Sequence, residues 1–269
     1  MNDGAAQDPG SLVEKQLRDG NIGVAVMNSP HQANCLSSEL VSGILNAFDE
    51  FEKQAVRVVV LRAYPKAKVW SAAHDMKEIP LDGQDPITWN VAFEQLLHRV
   101  RSFPVPIIGM IEGTVWGGAC DLAMTCDMLV GTSSAAFAIT PAKIGLPYNA
   151  AGLTHFLGVL PLHVIKGMLY TADQLSAEEA LRFGLLNRLV DSQDLETTTF
   201  EIAETIASRA PKVVRLLKAE LRKLTSGPAL NPDDFEEIQQ LRREAYRSKD
   251  FAEGVNAFFQ KRVPQFQDD

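Results

Sequence analysis

Two short segments rich in glycine and alanine have the composition needed to bring backbone N–H groups close to a ligand. Residues 70–76 read Trp-Ser-Ala-Ala-His-Asp-Met, and residues 113–121 read Gly-Thr-Val-Trp-Gly-Gly-Ala-Cys-Asp. The glycine pair of the second segment precedes an apolar helical run. The N–H of Gly118 is therefore predicted to lie at a helix N-terminus and to face a ligand oxygen. Asp121 falls on the same face of that helix, three residues further along.

Taken singly, each segment also has a simpler explanation. Residues 70–76 are compatible with a turn that carries an ordinary surface histidine, and the glycine pair with close packing of a helix on a strand. Together, two N–H donors from separate segments have the arrangement of an oxyanion hole, which holds a thioester carbonyl as it becomes an enolate. The pair of segments therefore predicts an enzyme of this chemistry.

Sequence motifs for other common chemistries are absent from the chain. It contains no GxGxxG, GxxxxGK(S/T), GxSxG or HExxH, and its five histidines and three cysteines lack metal-ligand spacing. We therefore expect no metal and no organic cofactor. The cysteines (Cys35, Cys120 and Cys126) are odd in number and lack a CxxC pair, which fits a reducing compartment and predicts a cytoplasmic protein.

The overall composition is that of a soluble globular protein. The 269 residues are 46% hydrophobic and 22% charged, enough for one large domain or two ordinary ones. With 26 basic and 34 acidic residues the net charge is −8, which disfavours a nucleic-acid partner. Residues 144–165 lack charged side chains, but Pro147, Gly152 and Pro161 interrupt them, so they indicate buried interior and not a membrane helix. Residues 1–11 lack signal-peptide features and are predicted to form a loose tail.

Hydrophobic periodicity predicts alternating strands and helices, followed by helices alone. The predicted strands are residues 22–27, 58–61, 106–111 and 127–131. One helix is predicted to begin at Ser37, and a second is predicted over residues 86–103. From Ala177 onward only helices are expected, over residues 177–183, 195–209, 212–225 and 232–247. This order is typical of an α/β core with a helical C-terminal extension.

The chain resembles the crotonase (enoyl-CoA hydratase/isomerase) superfamily from about residue 22 to residue 266. The motifs that carry the resemblance are Asn34-Cys-Leu36, residues 71–75, residues 112–118, Cys126-Asp127, residues 136–138 and residues 177–187. The resemblance implies an α/β fold built as a spiral of ββα units. It also implies a spiral core over residues 12–190 and a helical oligomerisation region over residues 191–269, forming a homotrimer or homohexamer.

Within the superfamily, the sequence is most similar to the branch that decarboxylates methylmalonyl-CoA. The similar segments are residues 140–149 (Thr-Pro-Ala-Lys-Ile-Gly-Leu-Pro-Tyr-Asn), 112–119, 242–246, 253–258 and 261–262. The resemblance implies an acyl-CoA partner and a carboxy-lyase that turns methylmalonyl-CoA into propionyl-CoA and CO2. It implies no cofactor, because CoA is part of the substrate.

The resemblance also assigns roles to individual residues. The backbone N–H groups of His74 and Gly118 become the oxyanion donors, the phenol of Tyr148 orients the substrate carboxylate, and Asp121 occupies the place of the family's glutamate. The implied substrate contacts are Ala72, Ala73, His74, Asp75, Met76, Gly118, Thr140 and Lys261. The alternatives are that Tyr148 is only a loop tyrosine and Lys261 only a solvated cation.

Hydration of a double bond requires a water held by two carboxylates from separate segments. Asp121 is one candidate, but residues 133–172 contain no Asp or Glu, and the second hydratase glutamate aligns with Pro141. Hydratase activity is therefore disfavoured.

Two departures from the family pattern concern the acyl and nucleotide ends of the substrate. Ala73 replaces the usual glycine, and its methyl is expected to narrow the acyl slot. His31-Gln-Ala33 replaces basic residues that would meet CoA phosphates, so that role is expected to pass to Lys66, Lys68 and Lys261.

Three alternatives share much of this sequence pattern. One is another crotonase activity, either ethylmalonyl-CoA decarboxylase or enoyl-CoA isomerase. An isomerase needs a base near the α- or γ-carbon of the substrate, and Asp121 is the only carboxylate expected there. The second is a non-catalytic acyl-CoA-binding protein, because a fold does not determine a function. The third, RNA binding, is disfavoured by the acidic charge.

Overall fold

A computed structural model of the chain describes residues 11–78, 91–148, 150–225, 236, 239–240, 243–244 and 246–266. Most of the predicted N-terminal tail and most of the helix predicted over residues 232–247 therefore lie outside the described residues.

Ten strands form two sheets in this part of the chain. The strands are Val13–Arg18 (β1), Ile22–Met27 (β2), Val58–Ala63 (β3), Val69–Ser71 (β4), Ile107–Ile111 (β5), Thr114–Trp116 (β6), Met128–Thr132 (β7), Ala136–Ala138 (β8), Leu175–Ser176 (β9) and Arg188–Val190 (β10). The larger sheet has the order β1-β2-β3-β5-β7-β10, and the smaller sheet has the order β4-β6-β8-β9. Only the β1–β2 and β8–β9 pairs are antiparallel among these neighbours.

Strands and helices follow one another in a repeating order. The helices are Ser38–Lys53 (α1), Val91–Ser102 (α2), Gly118–Thr125 (α3), Ala150–Leu157 (α4), Leu162–Thr171 (α5), Ala177–Arg182 (α6), Leu195–Ala207 (α7), Pro211–Thr225 (α8) and Lys249–Gln260 (α9). In the units β3-β4-α2, β5-β6-α3 and β7-β8-α4, the first strand joins the larger sheet and the second joins the smaller one. The predicted α/β spiral of ββα units is confirmed.

The larger sheet is buried on both faces, which explains its uninterrupted apolar strands. In β3, Val59 and Leu61 pack into the main core with α1, whereas Val58 and Val60 pack into a second core with Phe200 of α7. Parallel strands covered on both faces are typically continuous Val, Ile and Leu runs. Such runs are visible in the sequence, and the strands predicted from them are confirmed to within one or two residues at their ends.

One part of the secondary-structure prediction is wrong. Residues after Ala177 were expected to be helical only, but Arg188–Val190 forms β10, which pairs in parallel with β7 at the edge of the larger sheet. Three residues are too few to show a strand period, so tertiary pairing defines this strand. The uncharged stretch 144–165 contains α4 and the start of α5, and no described helix is long and apolar enough to cross a membrane.

Asn34 fixes the segment that follows β4. Its side chain is fully buried, accepts the N–H of Ser29 at 2.8 Å and donates to the carbonyl of Trp70 at 3.1 Å. Its own carbonyl accepts the hydroxyl of Ser71 at 2.7 Å. The neighbouring N–H of Leu36 donates to the carbonyl of Ala73 at 2.6 Å. Residues 70–73 are therefore held from one side by a continuous set of hydrogen bonds.

Replacing Asn34 with alanine should destabilise the protein by about 2–6 kcal/mol. Two buried backbone groups would each lose a partner, at about 1–3 kcal/mol for each unsatisfied group. The measurement is the free energy of unfolding from urea denaturation. Asn46→Ala, at an exposed position of α1, is the matched control and should stay within about 0.5 kcal/mol of the parent protein. An equally small change for Asn34→Ala would show that the hydrogen bonds of the Asn34 side chain do not stabilise this segment.

Candidate active site

The two segments singled out in the sequence lie directly against each other. A Cβ built on Gly117 would stand 2.9 Å from the Cβ of Ala73, and one built on Gly118 would stand 2.7 Å from Nε2 of His74. Distances below 3.0 Å do not occur between real Cβ atoms and their neighbours. Glycine at position 117 therefore allows Ala73 to come close, and glycine at position 118 leaves room for the ring of His74.

Both sides of this contact have unusual backbone conformations. Gly117, the N-cap of α3, has φ of 48°, and Ala73 has φ of 72°. The N–H of Gly117 donates to the carbonyl of Ala138 at 2.7 Å. Gly118 is the first residue of α3, where a backbone N–H has no partner within its helix. The extra methyl of Ala73, expected to narrow the acyl slot, is accommodated against Gly117.

The side chain of His74 packs as an uncharged ring. It meets Phe93 edge to face with ring centroids 4.5 Å apart, and it covers Gly118. Burial lowers the pKa of His74 to about 4, against the opposing effect of its hydrogen bond with the backbone of Leu36. The imidazole is therefore neutral near pH 7 and brings no positive charge to a bound ligand.

Asp121 forms a buried pair with a residue that the sequence analysis did not select. The Asp121 side chain is 1% exposed, and its Oδ1 lies 2.5 Å from Nδ1 of His155 in α4. Burial raises the pKa of Asp121, whereas His155 and the charge of Arg101 act in the opposite direction. Oδ2 of Asp121 and Nε2 of His155 have no hydrogen-bond partner among the described residues.

The sequence offered one weak signal for His155, a histidine within the uncharged stretch 144–165. His163 lies in the same stretch and is exposed, so the pattern alone could not separate the two. The fold makes the distinction because α4 packs on α3 and brings His155 to Asp121.

Tyr148 lies just before α4 and is half-buried near Asp121 and Phe156. Its ring packs at 5.4 Å from the ring of Phe156. Burial raises the pKa of Tyr148 well above its usual value, and the charge of Asp121 adds to the effect. The phenol therefore stays protonated and keeps its O–H as a hydrogen-bond donor.

The other predicted substrate contacts have varied surroundings. The N–H of Ala72 donates to the carbonyl of Ala33 at 3.0 Å, and the carboxylate of Asp75 accepts the N–H of Lys77 at 2.9 Å. Met76 packs against a small cluster that includes Phe251 of α9. Thr140 precedes the short 3-10 helix Pro141–Ile144, which α9 also contacts.

The three lysines expected near the CoA phosphates are all exposed. Lys261 lies at the C-terminal end of α9, and the backbone N–H of Lys66 donates to the carboxylate of Glu112 at 2.9 Å. In the structure, Ala73 lies against Gly117 and the ring of His74 lies against Gly118. The CoA contacts of Lys66, Lys68 and Lys261 stay predictions. Among the described residues, no group of three His, Cys, Asp or Glu side chains could hold a metal ion.

Gly117→Ala should lower the free energy of unfolding by about 2–5 kcal/mol. The substitution forces a non-glycine residue into the left-handed region, at about 1–2 kcal/mol, and overpacks the methyl of Ala73, at about 1–3 kcal/mol. Because the second contribution needs both methyls, Ala73→Gly should recover about 1 kcal/mol in the double variant. A urea-denaturation cycle measures this coupling.

The matched control for that cycle is Gly167→Ala in α5, where an added Cβ meets no atom within 4 Å. It should stabilise the protein by about 0.5–1 kcal/mol, as alanine does in a helix interior. Additive effects of Gly117→Ala and Ala73→Gly would show that the two segments do not touch.

Comparison with known proteins agrees with this geometry. A sequence profile described as enoyl-CoA hydratase/isomerase matches residues 18–269. Methylmalonyl-CoA decarboxylase of Escherichia coli (strain K12) is 36% identical over 245 residues, which cover 91% of this chain and 94% of that protein. A putative enoyl-CoA hydratase of Thermus thermophilus is 30% identical, with 93% of this chain and 99% of that protein covered.

A solved structure is also similar over nearly the whole chain. It is that of methylmalonyl-CoA decarboxylase in complex with 2-nitronate-propionyl-CoA, with a TM-score of 0.93 and 35% identity. The match covers 96% of this chain and 99% of that one. The spiral of ββα units, the paired glycine-rich segments and these similarities agree, and the chain belongs to the crotonase (enoyl-CoA hydratase/isomerase) family.

Proposed function

We infer that the protein decarboxylates a malonyl-type CoA thioester, with methylmalonyl-CoA as substrate and propionyl-CoA and CO2 as products. The observation that carries this proposal is the direct contact of residues 73–74 with Gly117 and Gly118. In the proposal, the N–H groups of His74 and Gly118 bind the thioester oxygen. The similarity to methylmalonyl-CoA decarboxylase supports the choice of substrate.

The reaction requires little from the protein beyond orientation and charge stabilisation. When the bond between the α-carbon and the carboxylate breaks, its electron pair moves into the thioester and places negative charge on the oxygen. Two N–H donors stabilise this oxygen more strongly in the transition state than in the ground state, which is what accelerates a reaction. A carboxylate turned out of the thioester plane allows the electron pair to overlap with the carbonyl.

Tyr148 is suited to holding that carboxylate. A protonated phenol donates one hydrogen bond, which fixes the plane of the carboxylate without neutralising it. A full positive charge would stabilise the ground-state carboxylate, whose charge must leave that group in the transition state, and would slow the reaction. Among the groups that the structure places near Asp121, Tyr148 combines a retained O–H with a position in the loop before α4.

Hydration is disfavoured by the same residues. Asp121 shares its Oδ1 with His155, and Pro141, which aligns with the second hydratase glutamate, begins a short 3-10 helix. A hydratase holds its water between two carboxylates, but residues 133–172 contain no Asp or Glu that could serve as the second one.

The proposed assembly is a homotrimer or homohexamer formed through the C-terminal helices. Its support is the exposed apolar surface of α8, formed by Val213, Leu216, Leu217, Leu221 and Leu224. Large exposed apolar patches on soluble proteins commonly mark interaction surfaces.

A panel of malonyl-, methylmalonyl-, ethylmalonyl- and crotonyl-CoA tests the proposed reaction. Methylmalonyl-CoA should release CO2 fastest, whereas hydration of crotonyl-CoA should be at least about 100-fold slower, because general acid–base catalysis by a missing carboxylate contributes about 10²–10⁴. CO2 release is followed by a coupled assay, and hydration is followed by the loss of absorbance of the enoyl thioester.

The other outcomes of the panel point to the alternative functions. Hydration at or above the rate of CO2 release would overturn the decarboxylase assignment. Faster release from ethylmalonyl-CoA would assign the bulkier substrate. Binding of every thioester without turnover would support a non-catalytic acyl-CoA-binding protein.

Tyr148→Phe should lower kcat/KM for methylmalonyl-CoA by roughly 10- to 150-fold. Phenylalanine keeps the ring packing and removes one hydrogen bond to a charged group, worth about 1.5–3 kcal/mol, at about 1.4 kcal/mol per tenfold. Affinity for propionyl-CoA should barely change, because this product lacks the carboxylate.

Tyr170→Phe, on the exposed surface of α5, is the control for loss of a tyrosine hydroxyl and should match the parent enzyme. Parent-like turnover of Tyr148→Phe, or equal weakening of propionyl-CoA and methylmalonyl-CoA binding, would reduce Tyr148 to a packing residue.

A further inference from the structure

Ala73 has a backbone conformation that favours glycine. Its φ of 72° lies in the left-handed region, where a β-carbon is crowded by the following carbonyl oxygen and a side chain costs free energy. A residue keeps such a conformation only where its surroundings fix the backbone. The side chain of Ala73 is a single methyl group, so its effect depends on what that methyl contacts.

Main-chain hydrogen bonds fix this conformation without help from the methyl. The carbonyl of Ala73 accepts the N–H of Leu36 at 2.6 Å and the thiol of Cys35 at 3.3 Å. The N–H of the preceding residue, Ala72, donates to the carbonyl of Ala33 at 3.0 Å. Glycine at position 73 would keep all three bonds, because residues 72 and 73 take part in them only through backbone atoms. The methyl is therefore not needed to hold this turn.

The methyl occupies the gap between the two glycine-rich segments. A Cβ built on Gly117 would stand 2.9 Å from it, and no other described atom outside that turn comes within 4 Å of the built Cβ. A Cβ lies about 1.5 Å from its Cα, so the methyl of Ala73 is in van der Waals contact with the backbone of Gly117. The methyl therefore separates the two segments at this point.

The width of this contact bears directly on the two proposed donors. The N–H of His74 belongs to the peptide that follows Ala73, and the N–H of Gly118 belongs to the peptide that follows Gly117. Oxyanion donors must lie about 2.7–3.1 Å from the oxygen, and misplacement by about 1 Å can reduce a rate by about 100-fold. A change by the size of one methyl group is therefore large for this pair of donors.

We propose that Ala73 is a positioning residue, whose methyl is a spacer that sets the separation of the peptides carrying the N–H groups of His74 and Gly118. The proposal deepens the proposed function and rests on it for the identity of the reaction. With glycine at position 73, the segments would close over the gap or move within it, since glycine also adds backbone freedom. Either change misplaces the donors relative to one thioester oxygen. Compared with glycine, alanine here lowers stability and raises the rate.

The first test compares Ala73→Gly with the parent protein in decarboxylation of methylmalonyl-CoA and in thermal unfolding. The kcat should fall by about 10-fold, a part of the loss expected for a displacement of about 1 Å. The KM should stay within about twofold, because the N–H donors contribute most in the transition state. The Tm should remain at or above the parent value, because glycine relieves the left-handed strain.

Ala55→Gly is the matched control, because Ala55 is an exposed alanine with φ of 54°. It follows α1, whereas residues 34–36 precede that helix, so the length of α1 separates Ala55 from the site. Its kcat and KM should match the parent values. Parent-like kcat in Ala73→Gly would overturn the spacer. A lower Tm with equal losses of kcat and of substrate affinity in Ala73→Gly would also overturn it, by showing a general packing role.

A second measurement reports on the donors without any turnover. It is the infrared carbonyl stretch of bound propionyl-CoA, isotope-labelled at the thioester carbon, whose frequency falls as hydrogen bonds polarise the carbonyl. Binding to the parent protein should lower the frequency. The downshift should be smaller in Ala73→Gly and unchanged in Ala55→Gly.

The two readouts separate the spacer from the proposed function. A smaller downshift in Ala73→Gly, without CO2 release from any malonyl thioester by the parent protein, would support the spacer and refute the decarboxylase assignment. Equal downshifts in Ala73→Gly and the parent protein, with normal CO2 release, would refute the spacer and leave the proposed function intact. Absence of a downshift in the parent protein would also overturn the spacer.

Discussion

The site depends on one close contact, in which the peptides of residues 73–74 meet the turn at Gly117 and Gly118. A side chain at either glycine would occupy space already filled by Ala73 or by the ring of His74. The contact is supported from behind by Asn34, whose buried amide joins Ser29 to Trp70. Two chain segments from separate ββα units thereby lie against each other, which is an arrangement that the proposed oxyanion hole requires.

Around this contact, burial shifts the pKa values of three side chains towards their uncharged forms. The pKa of His74 falls to about 4, while those of Asp121 and Tyr148 rise. Backbone dipoles act most strongly where few charges and little water compete with them. Burial of these side chains therefore reduces the competition that backbone N–H groups would meet in stabilising the charge that develops in the proposed reaction.

The C-terminal helices complete the surroundings of the site. Helix α9 contacts the 3-10 helix that precedes Tyr148, and Gly254 allows its close approach because an added Cβ would stand 2.1 Å from the carbonyl of Ile144. Phe251 of the same helix packs with Met76. A segment far along the chain thus supports both the loop that carries Tyr148 and the end of the 70–76 segment.

Local sequence patterns predicted four of the ten described strands, most described helices and the two glycine-rich segments, because burial on both faces and helical periodicity produce recognisable patterns in the residue order. The family motifs further predicted Tyr148 and Asp121 as site residues. The strand β10 and the partner of Asp121 were decided only by tertiary structure. A three-residue strand has no period of its own, and His155 differs from exposed His163 only because α4 packs on α3. Hydrogen bonds between residues 34 positions apart follow from packing, which a pattern of neighbouring residues does not encode.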